Sequence, residues 1–520
     1  RHDGATTSTS LRLQRPSYQR KSYRWRQDVA CAASSDRTAM YRACWSVMTS
    51  QSHANELSSV GVMLVPTDVA RIRTVPLGIR AWSAVGLVLT HAMSAAASMQ
   101  SAHLALALVQ SLAGQPQPGR LLILTCGAAA HGGVWGFSRV VRLEHSALRT
   151  LSVDCVPGVD TVASARALLA ETTAASSRAA PSEAEVALGN RGTRCVARLR
   201  RCAVSAGAAA APPVSHGGTY AITGGLGGLG LRAASLLIDH GATRIVLASR
   251  SGRVARDGQG LQERMHTLRT SVDVVAVDSA DASDSCVSLG ALCATGLLHA
   301  AGVAAAGLLT ELEVGGMCRM HAPKALAAWR FHSTLAATPI DADVLYSSVG
   351  SGLGNVGQTS YALSNACLDA HATSRRTDGL VACSLQWPLV GGAGMGATTF
   401  AALDERNISV VGLAGISLEQ HAVRLLHAMS TCNGVAAAVQ TAHRADVREL
   451  LRDLSDAAEP RFCELSTCSV RTATSRAPAL VAAAADGTLA QAIESLADRD
   501  RLTHVETVVL RAVCDLTGET

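Results

Sequence analysis

Four side chains in the middle of the chain have the types and spacing that reduction of a ketone requires. Ser348 ends a short apolar run, Tyr361 follows thirteen residues later in a helical pattern, and Asn365 lies one helical turn beyond Tyr361 on the same face. Hydride reduction of a carbonyl needs an acid that protonates the developing alkoxide and a donor that fixes the carbonyl oxygen; a Tyr phenol and a Ser hydroxyl fill those roles. A free phenol titrates near about 10, so a nearby cation is needed for it to exchange protons readily near neutrality. Of the 46 basic residues, only Lys21 and Lys324 are lysines. In a chain that otherwise writes Arg, Lys324 retains a compact ammonium that can hydrogen-bond a ribose and relay a proton, as a guanidinium cannot. Taken singly, each residue also has an ordinary reading: a strand-end hydroxyl, a half-buried ring, a helix-surface amide, a solvated charge.

The chemistry needs a hydride donor, and a second motif offers a place for one. The run Thr219 to Thr223 leads into Gly224-Gly225-Leu226-Gly227-Gly228-Leu229-Gly230, and an apolar helix, Leu231 to Ile238, follows at once. Glycines there let the backbone turn tightly and approach a pyrophosphate, whose charge then sits on the helix N-terminus. A strand before, a helix after and a second strand about twenty residues on make this a dinucleotide loop. The second strand ends in Ser249-Arg250 rather than in an acid, so Arg250 is expected to pair with a 2′-phosphate and select NADPH; the alternative is an exposed arginine. Asp278 ends the third strand, either to accept from an adenine amino group or to cap the following helix.

These residues need a parallel sheet to position them. Candidate strands at 219–223, 244–249, 272–278, 296–300, 342–348, 381–386 and 435–439 alternate with helices, which describes one doubly wound α/β sheet. An Ala/Pro-rich stretch, Ala208 to Pro213, separates this region from an earlier one with strands at 60–65, 121–125, 151–155 and 195–199 and helices at 103–112 and 161–173. No glycine-rich phosphate loop follows any of those earlier strands, so the first region reads as structural.

Composition narrows the function classes. Aromatics are 3% and charged residues 17% of 520, and the net charge is +6 with basic residues scattered, which excludes a nucleic-acid surface. Residues 81–119 carry no charge, but polar residues such as Ser94, Gln100 and His103 interrupt them, which predicts a buried helix pair and no membrane span. The fifteen cysteines show no CxxC and no metal spacing, and are expected to be buried reduced thiols of a cytoplasmic protein with no metal site. Residues 1–28 mimic an organelle transit peptide in composition but read as linker.

With these motifs in hand, the sequence resembles the ketoreductase domain of modular polyketide synthases, in the short-chain dehydrogenase/reductase superfamily. The resemblance is carried by GTYAITGGLGGLGL (218–231), HAAGV (299–303), HAPK (321–324), Tyr346 to Ser348, Gly357-Gln358, YALSNACLD (361–369) and SLQW (384–387). It implies Lys324, Ser348, Tyr361 and Asn365 as a catalytic tetrad in which Lys and Asn have exchanged their usual superfamily positions. It implies a cofactor site of Thr223 and the Gly224 to Gly230 loop with Ser249, Arg250, Asp278, Ala301 and Gly302. The expected fold is an α/β, doubly wound, Rossmann-like catalytic subdomain preceded by a truncated Rossmann-like structural subdomain.

MYRACWSV (40–47) is similar to that subdomain's opening strand and GVWGFSRVVRLEHSALRTLSVD (133–154) to its closing half. The boundaries implied are 1–38 linker, 39–206 structural, 207–217 linker, 218–445 catalytic, 446–488 linker and 489–520 the start of an acyl carrier domain. The activity implied is NADPH-dependent reduction of a β-ketoacyl thioester presented by an acyl carrier domain, with neighbouring synthase domains as partners. Two stereochemical fingerprints of the family are absent: Ala304-Ala305-Ala306 stands in place of Leu-Asp-Asp, and Leu353 in place of Trp. Pro388 also stands where the family usually has Gly. Competing readings are a free-standing short-chain reductase of a small ketone and a catalytically silent scaffold.

Overall fold

Parallel neighbours in a sheet cannot be joined by a tight turn; each needs a crossover, usually a helix, that lies across one face. A chain alternating short apolar runs with helical stretches therefore builds a strand layer between helical layers. The computed structural model describes residues 39–48, 62–65, 84–89, 99–116, 118–126, 128–156, 183–189, 193–201, 217–254, 259–268, 272–281, 283–284, 294–335, 340–397, 415–431, 438–443 and 459–465. All of them fall in one compact unit, residues 1–467.

The second half contributes seven parallel strands: β8 (Thr219–Thr223), β9 (Arg244–Ser249), β10 (Val272–Ala276), β11 (Gly296–His299), β12 (Ala342–Ser348), β13 (Cys383–Trp387) and β14 (Val439–His443). Their order is β10-β9-β8-β11-β12-β13-β14. The chain moves outward from β8 to β10 and then returns to the other side of β8, so a crevice opens between the carboxyl ends of β8 and β11, the place where α/β folds bind ligands. Helices α3 (Gly228–Asp239), α4 (Leu261–Leu268), α5 (Val314–His321), α6 (Ala327–Thr334), α7 (Val349–Leu353), α8 (Thr359–Thr377) and α9 (Leu418–Thr431) connect or flank these strands. Tyr220 and Ile222 pack on one side with α3 and α9, while Ala221 between them packs on the other with Leu297 and Phe331. That alternation is the two-residue period of a strand covered on both faces.

The first half contributes β1 (Ala39–Met48), β2 (Val62–Val65), β3 (Ala84–Leu89), β4 (Arg120–Cys126), β5 (Leu151–Cys155), β6 (Glu185–Leu188) and β7 (Arg194–Arg201), with helices α1 (Met99–Ala113) and α2 (Ala128–Glu144). β1 pairs antiparallel with β7 on one side and with β14 on the other, so the fourteen described strands make one continuous sheet. A second junction is helical. Around Gly136, α2 lies so close to α8 that a Cβ would stand 2.4 Å from the Ala362 carbonyl oxygen, so only glycine fits.

The α/β class agrees with the sequence reading, but several elements differ. Among the described residues, 81–119 do not begin with a helix: a strand, β3, precedes helix α1, because a Val/Leu run of strand length has no helical period. The last strand is Val439–His443 rather than 435–439, and 432–437 lie outside the described residues. β6 has no counterpart in the sequence reading, and the expected helix at 161–173 lies outside the described residues. Among the described cysteines, Cys318 and Cys463 are exposed rather than buried. Among the described residues no helix is long and apolar enough to cross a membrane.

Candidate active site

The glycine loop turns at the carboxyl end of β8. Gly224 has φ +65°, a conformation that favours glycine, and a Cβ there would sit 2.8 Å from the Ala300 carbonyl oxygen. Gly227 then caps α3, leaving that helix's first amide groups pointing into an open cleft of about 880 Å³. Gly224, Leu226, Gly227, Gly228, Leu229, Gly230, Ser249, Arg250 and Gly302 all line this cleft. Thr223, Gly225, Asp278 and Ala301 do not line it. Gly225 lies beneath the turn, donating to the Ala248 carbonyl at 3.2 Å. Asp278 holds its own turn, its Oδ1 accepting from the Ala280 amide at 2.9 Å.

Among the described lining residues the only charged ones are Arg250 and Arg253. A cleft whose described lining offers a helix N-terminus and two guanidiniums and no carboxylate suits a ligand with several negative charges. Arg253 is absent from the sequence-based site; the signal that could have found it is a second arginine three residues after Arg250 in the same loop.

Thr223 and His299 end adjacent strands and meet behind the cleft. Their side chains lie 2.7 Å apart, and His299 Nε2 donates to the Lys324 carbonyl at 3.0 Å. A carbonyl can only accept, so the ring carries its proton on Nε2 and Nδ1 accepts from the Thr223 hydroxyl. Burial pushes the imidazole down to about 3, with the Lys324 cation adding to the effect, so the ring is neutral at ordinary pH.

Lys324 sits in a π-helical turn, Ala322–Leu326, between α5 and α6. Wide turns of this kind break the helical ladder and are frequent at functional sites. Its side chain is 4% exposed and its Nζ donates to the Tyr346 carbonyl at 2.9 Å. Nζ stands 5.7 Å from the centroid of the Tyr361 ring. Burial pushes the ammonium down to about 8, and the Asp369 carboxylate opposes that. A Cβ on Gly302 would lie 2.6 Å from Lys324 Cε, so the lysine stem adjoins the wall of the cleft. This is not a solvated surface charge.

Ser348 caps α7 by accepting from the Gly350 amide at 3.2 Å. Tyr361 lies in the first turn of α8. Burial raises its phenol above the ordinary value, while side-chain hydrogen bonding from Ser348 and Asn365 pulls it back. The net direction is upward, contrary to the expectation of a phenol eased downward by a cation, because desolvation of the phenolate outweighs the rest. Asn365 is fully buried rather than on a helix surface. Its Nδ2 donates to the Tyr361 carbonyl at 2.9 Å, and its Oδ1 has no donor in the protein. The structure thus brings Lys324, Ser348, Tyr361 and Asn365 together; none of the four lines the cleft itself, which they adjoin through Lys324 behind Gly302.

A buried network supports the group from below. Asp369, two turns beyond Tyr361, accepts from Ser384 Oγ at 2.6 Å, Ser351 Oγ at 2.7 Å and Gln386 Nε2 at 2.8 Å. Charge-assisted bonds from two elements, β13 and α7, fix the strand end and the helices in one register. Asp369, Gln386 and His299 lie within the motifs read from the sequence, but nothing there gives them these partners.

Comparison with known proteins agrees with this geometry. The KR domain family model matches residues 218–392. Erythronolide synthase EryA2 of Saccharopolyspora erythraea is 39% identical over 180 residues, 34% of this chain and 5% of that protein. Pikromycin polyketide synthase component PikAIII of Streptomyces venezuelae is 34% identical over 267 residues, 51% of this chain and 17% of that protein. The chain therefore spans only a small part of the synthases it matches. A solved structure of A-type ketoreductases from a modular polyketide synthase superimposes with a TM-score of 0.66 at 25% identity, covering 80% of this chain and 95% of that one.

Proposed function

We propose, for a chain that belongs to the ketoreductase domains of polyketide synthases within the short-chain dehydrogenase/reductase superfamily, that it reduces a carrier-bound β-ketoacyl thioester to the β-hydroxyacyl thioester with NADPH. The observation that carries this reading is the cluster of Ser348, Tyr361 and buried Lys324, the last of them adjoining Gly302 in the wall of a cleft whose described lining is cationic and free of acids. NADPH bound in the cleft would supply the hydride.

The loop 224–230 would receive its pyrophosphate at the α3 N-terminus, and Arg250 with Arg253 its 2′-phosphate. Ser348 donates to the substrate carbonyl oxygen and Tyr361 delivers the proton to it. A phenol raised by burial remains fully protonated at neutral pH, which is the state a proton donor needs. Lys324 provides the positive charge that stabilises the phenolate left behind. Asn365 Oδ1, a buried acceptor without a protein donor, is free to order a water or substrate group beside Tyr361. Polyketide synthases present their intermediates on carrier domains, so the partner proposed is an acyl carrier domain bearing the β-ketoacyl chain, next to further synthase domains.

The test is direct. The purified chain is incubated with a short β-ketoacyl thioester and either NADPH or NADH, and the β-hydroxy product is measured. Product with NADPH and at least about tenfold less with NADH is expected, since a charge-assisted phosphate contact is worth roughly 1.5–3 kcal/mol. No β-hydroxy product from either cofactor would overturn the reading.

A further inference from the structure

Two short strips border the mouth of the site. One, 303–309, leaves the cleft at Val303; the other, 354–358, leads into α8 three residues before Tyr361. They touch through a bridge between Gly307 and Gln358, and the Gly307 amide donates to the Gly357 carbonyl at 2.9 Å. Each strip shows an apolar side chain to solvent, Leu308 at 47% and Val356 at 55% exposure. On an unanchored rim, such a pair would give an apolar chain little to bind against.

Neither strip is held by the second half alone. Glu144, the last residue of α2 in the first half, receives both: its Oε2 accepts from the Leu309 amide at 2.8 Å and its Oε1 from the Gly357 amide at 2.7 Å. α1 adds Gln110, whose Nε2 donates to the Leu309 carbonyl at 3.1 Å and the Leu312 carbonyl at 2.9 Å. Because α2 is itself locked against α8 around Gly136, Glu144 is a fixed point relative to Tyr361.

We propose that Glu144 is a positioning residue for the acyl substrate: one carboxylate, bridging the amides next to Leu308 and Val356, fixes those two side chains as the walls against which an apolar acyl chain is held before Tyr361. This rests on the reductase reading above. It gives the first half a task in the reaction beyond covering the sheet, although its carboxylate touches neither cofactor nor reacting atoms.

The experiment uses the full chain with Glu144→Gln and Glu144→Ala. Amide hydrogen exchange is followed in peptides carrying Leu309, Gly357 and, as a control, Ile222 in β8. NADPH binding and the KM for a short β-ketoacyl thioester are measured alongside. Loss of both charge-assisted bonds in Glu144→Ala should speed exchange at Leu309 and Gly357 by about tenfold or more and leave Ile222 unchanged. The same variant should raise KM by about tenfold while NADPH affinity stays within about twofold. Glu144→Gln keeps one acceptor oxygen and should fall between. Unchanged exchange at Leu309 and Gly357, faster exchange at Ile222 as well, or an unchanged KM beside faster rim exchange would each overturn the proposal. Absence of turnover by the unmodified chain would count against the reductase reading instead, and the exchange data would still decide whether Glu144 clamps the rim.

Discussion

Replacing Lys324 by Met separates the cost of burying this charge from its use. The ordinary ammonium value is 10.5, and burial brings it to about 8 in the folded chain. A lysine with a lowered folded pKa weakens folding wherever the unfolded chain holds the proton more tightly. Below about pH 8 both states are protonated and the full penalty applies. As pH rises from about 8 to 10.5 the native state sheds the proton first and stability climbs. Over that interval, at about 1.36 kcal/mol per pH unit, the penalty is on the order of 3 kcal/mol. Met keeps the length of the stem without the charge, but leaves the Tyr346 carbonyl without its 2.9 Å donor, a loss of about 1–3 kcal/mol. The variant should therefore be as stable as the unmodified chain at pH 7, or up to about 2 kcal/mol more stable, while turnover falls by about a hundredfold or more. Urea titrations at pH 7, 8, 9 and 10 supply the assay. The unmodified chain should gain stability above pH 8 relative to the Met variant, closing or reversing the gap. A constant difference between the two across this range would refute the buried ammonium, and unchanged turnover would remove Lys324 from the reaction.

Tyr361→Phe keeps the ring and deletes the hydroxyl, so NADPH binding measured by fluorescence should persist while turnover drops by roughly two to four orders of magnitude; near-normal turnover would mean another group donates the proton. Arg250→Ala should weaken NADPH binding about tenfold or more and leave NADH binding unchanged, and equal losses for both cofactors would rule out a 2′-phosphate contact. The stretch read as a linker contains a residue that braces the site: Arg461 donates to the Gly352 carbonyl at 2.9 Å, near the end of α7, the helix that Ser348 caps. A chain ending at 445 should therefore show a lower turnover and a lower unfolding temperature than one ending at 467, and indistinguishable behaviour of the two would make this contact incidental.

What is legible in the sequence is what local chemistry alone dictates. The Gly224 to Gly230 loop can be placed because its backbone path leaves no room for a Cβ at Gly224, Gly225, Gly228 and Gly230, and the strands Thr219–Thr223, Arg244–Ser249 and Ala342–Ser348 because a strand covered on both faces is largely apolar. Lys324 stands out because the chain avoids lysine, and its burial supplies a physical reason for that exception. β3 is taken for a helix because a Val/Leu run without charges fits a buried strand and a buried helix equally well, and only its neighbours β2 and β4 decide.

The residues that escape such a reading share one property: their partners lie far away in sequence. Glu144 meets Leu309 and Gly357 across 165 and 213 positions, and Arg139, on the same helix, donates to the Ser351 carbonyl across 212. Nothing in a local window can signal such a role, since a Glu at a helix end and an Arg little more than one turn before it read as ordinary surface charges. Arg139 and Arg142 instead converge on buried Glu185, which they hold well below the usual carboxylate range. An anion kept charged inside the protein is destabilising unless its cations stay in place. The pairing therefore fixes the orientation of α2, and with it the point from which Glu144 reaches the rim. In the proposed reading the first half supplies rigidity, and the half with the glycine loop supplies chemistry. Helix α2 joins the two, packing its glycine face against the helix that carries Tyr361 and setting its charged end against the loops around it.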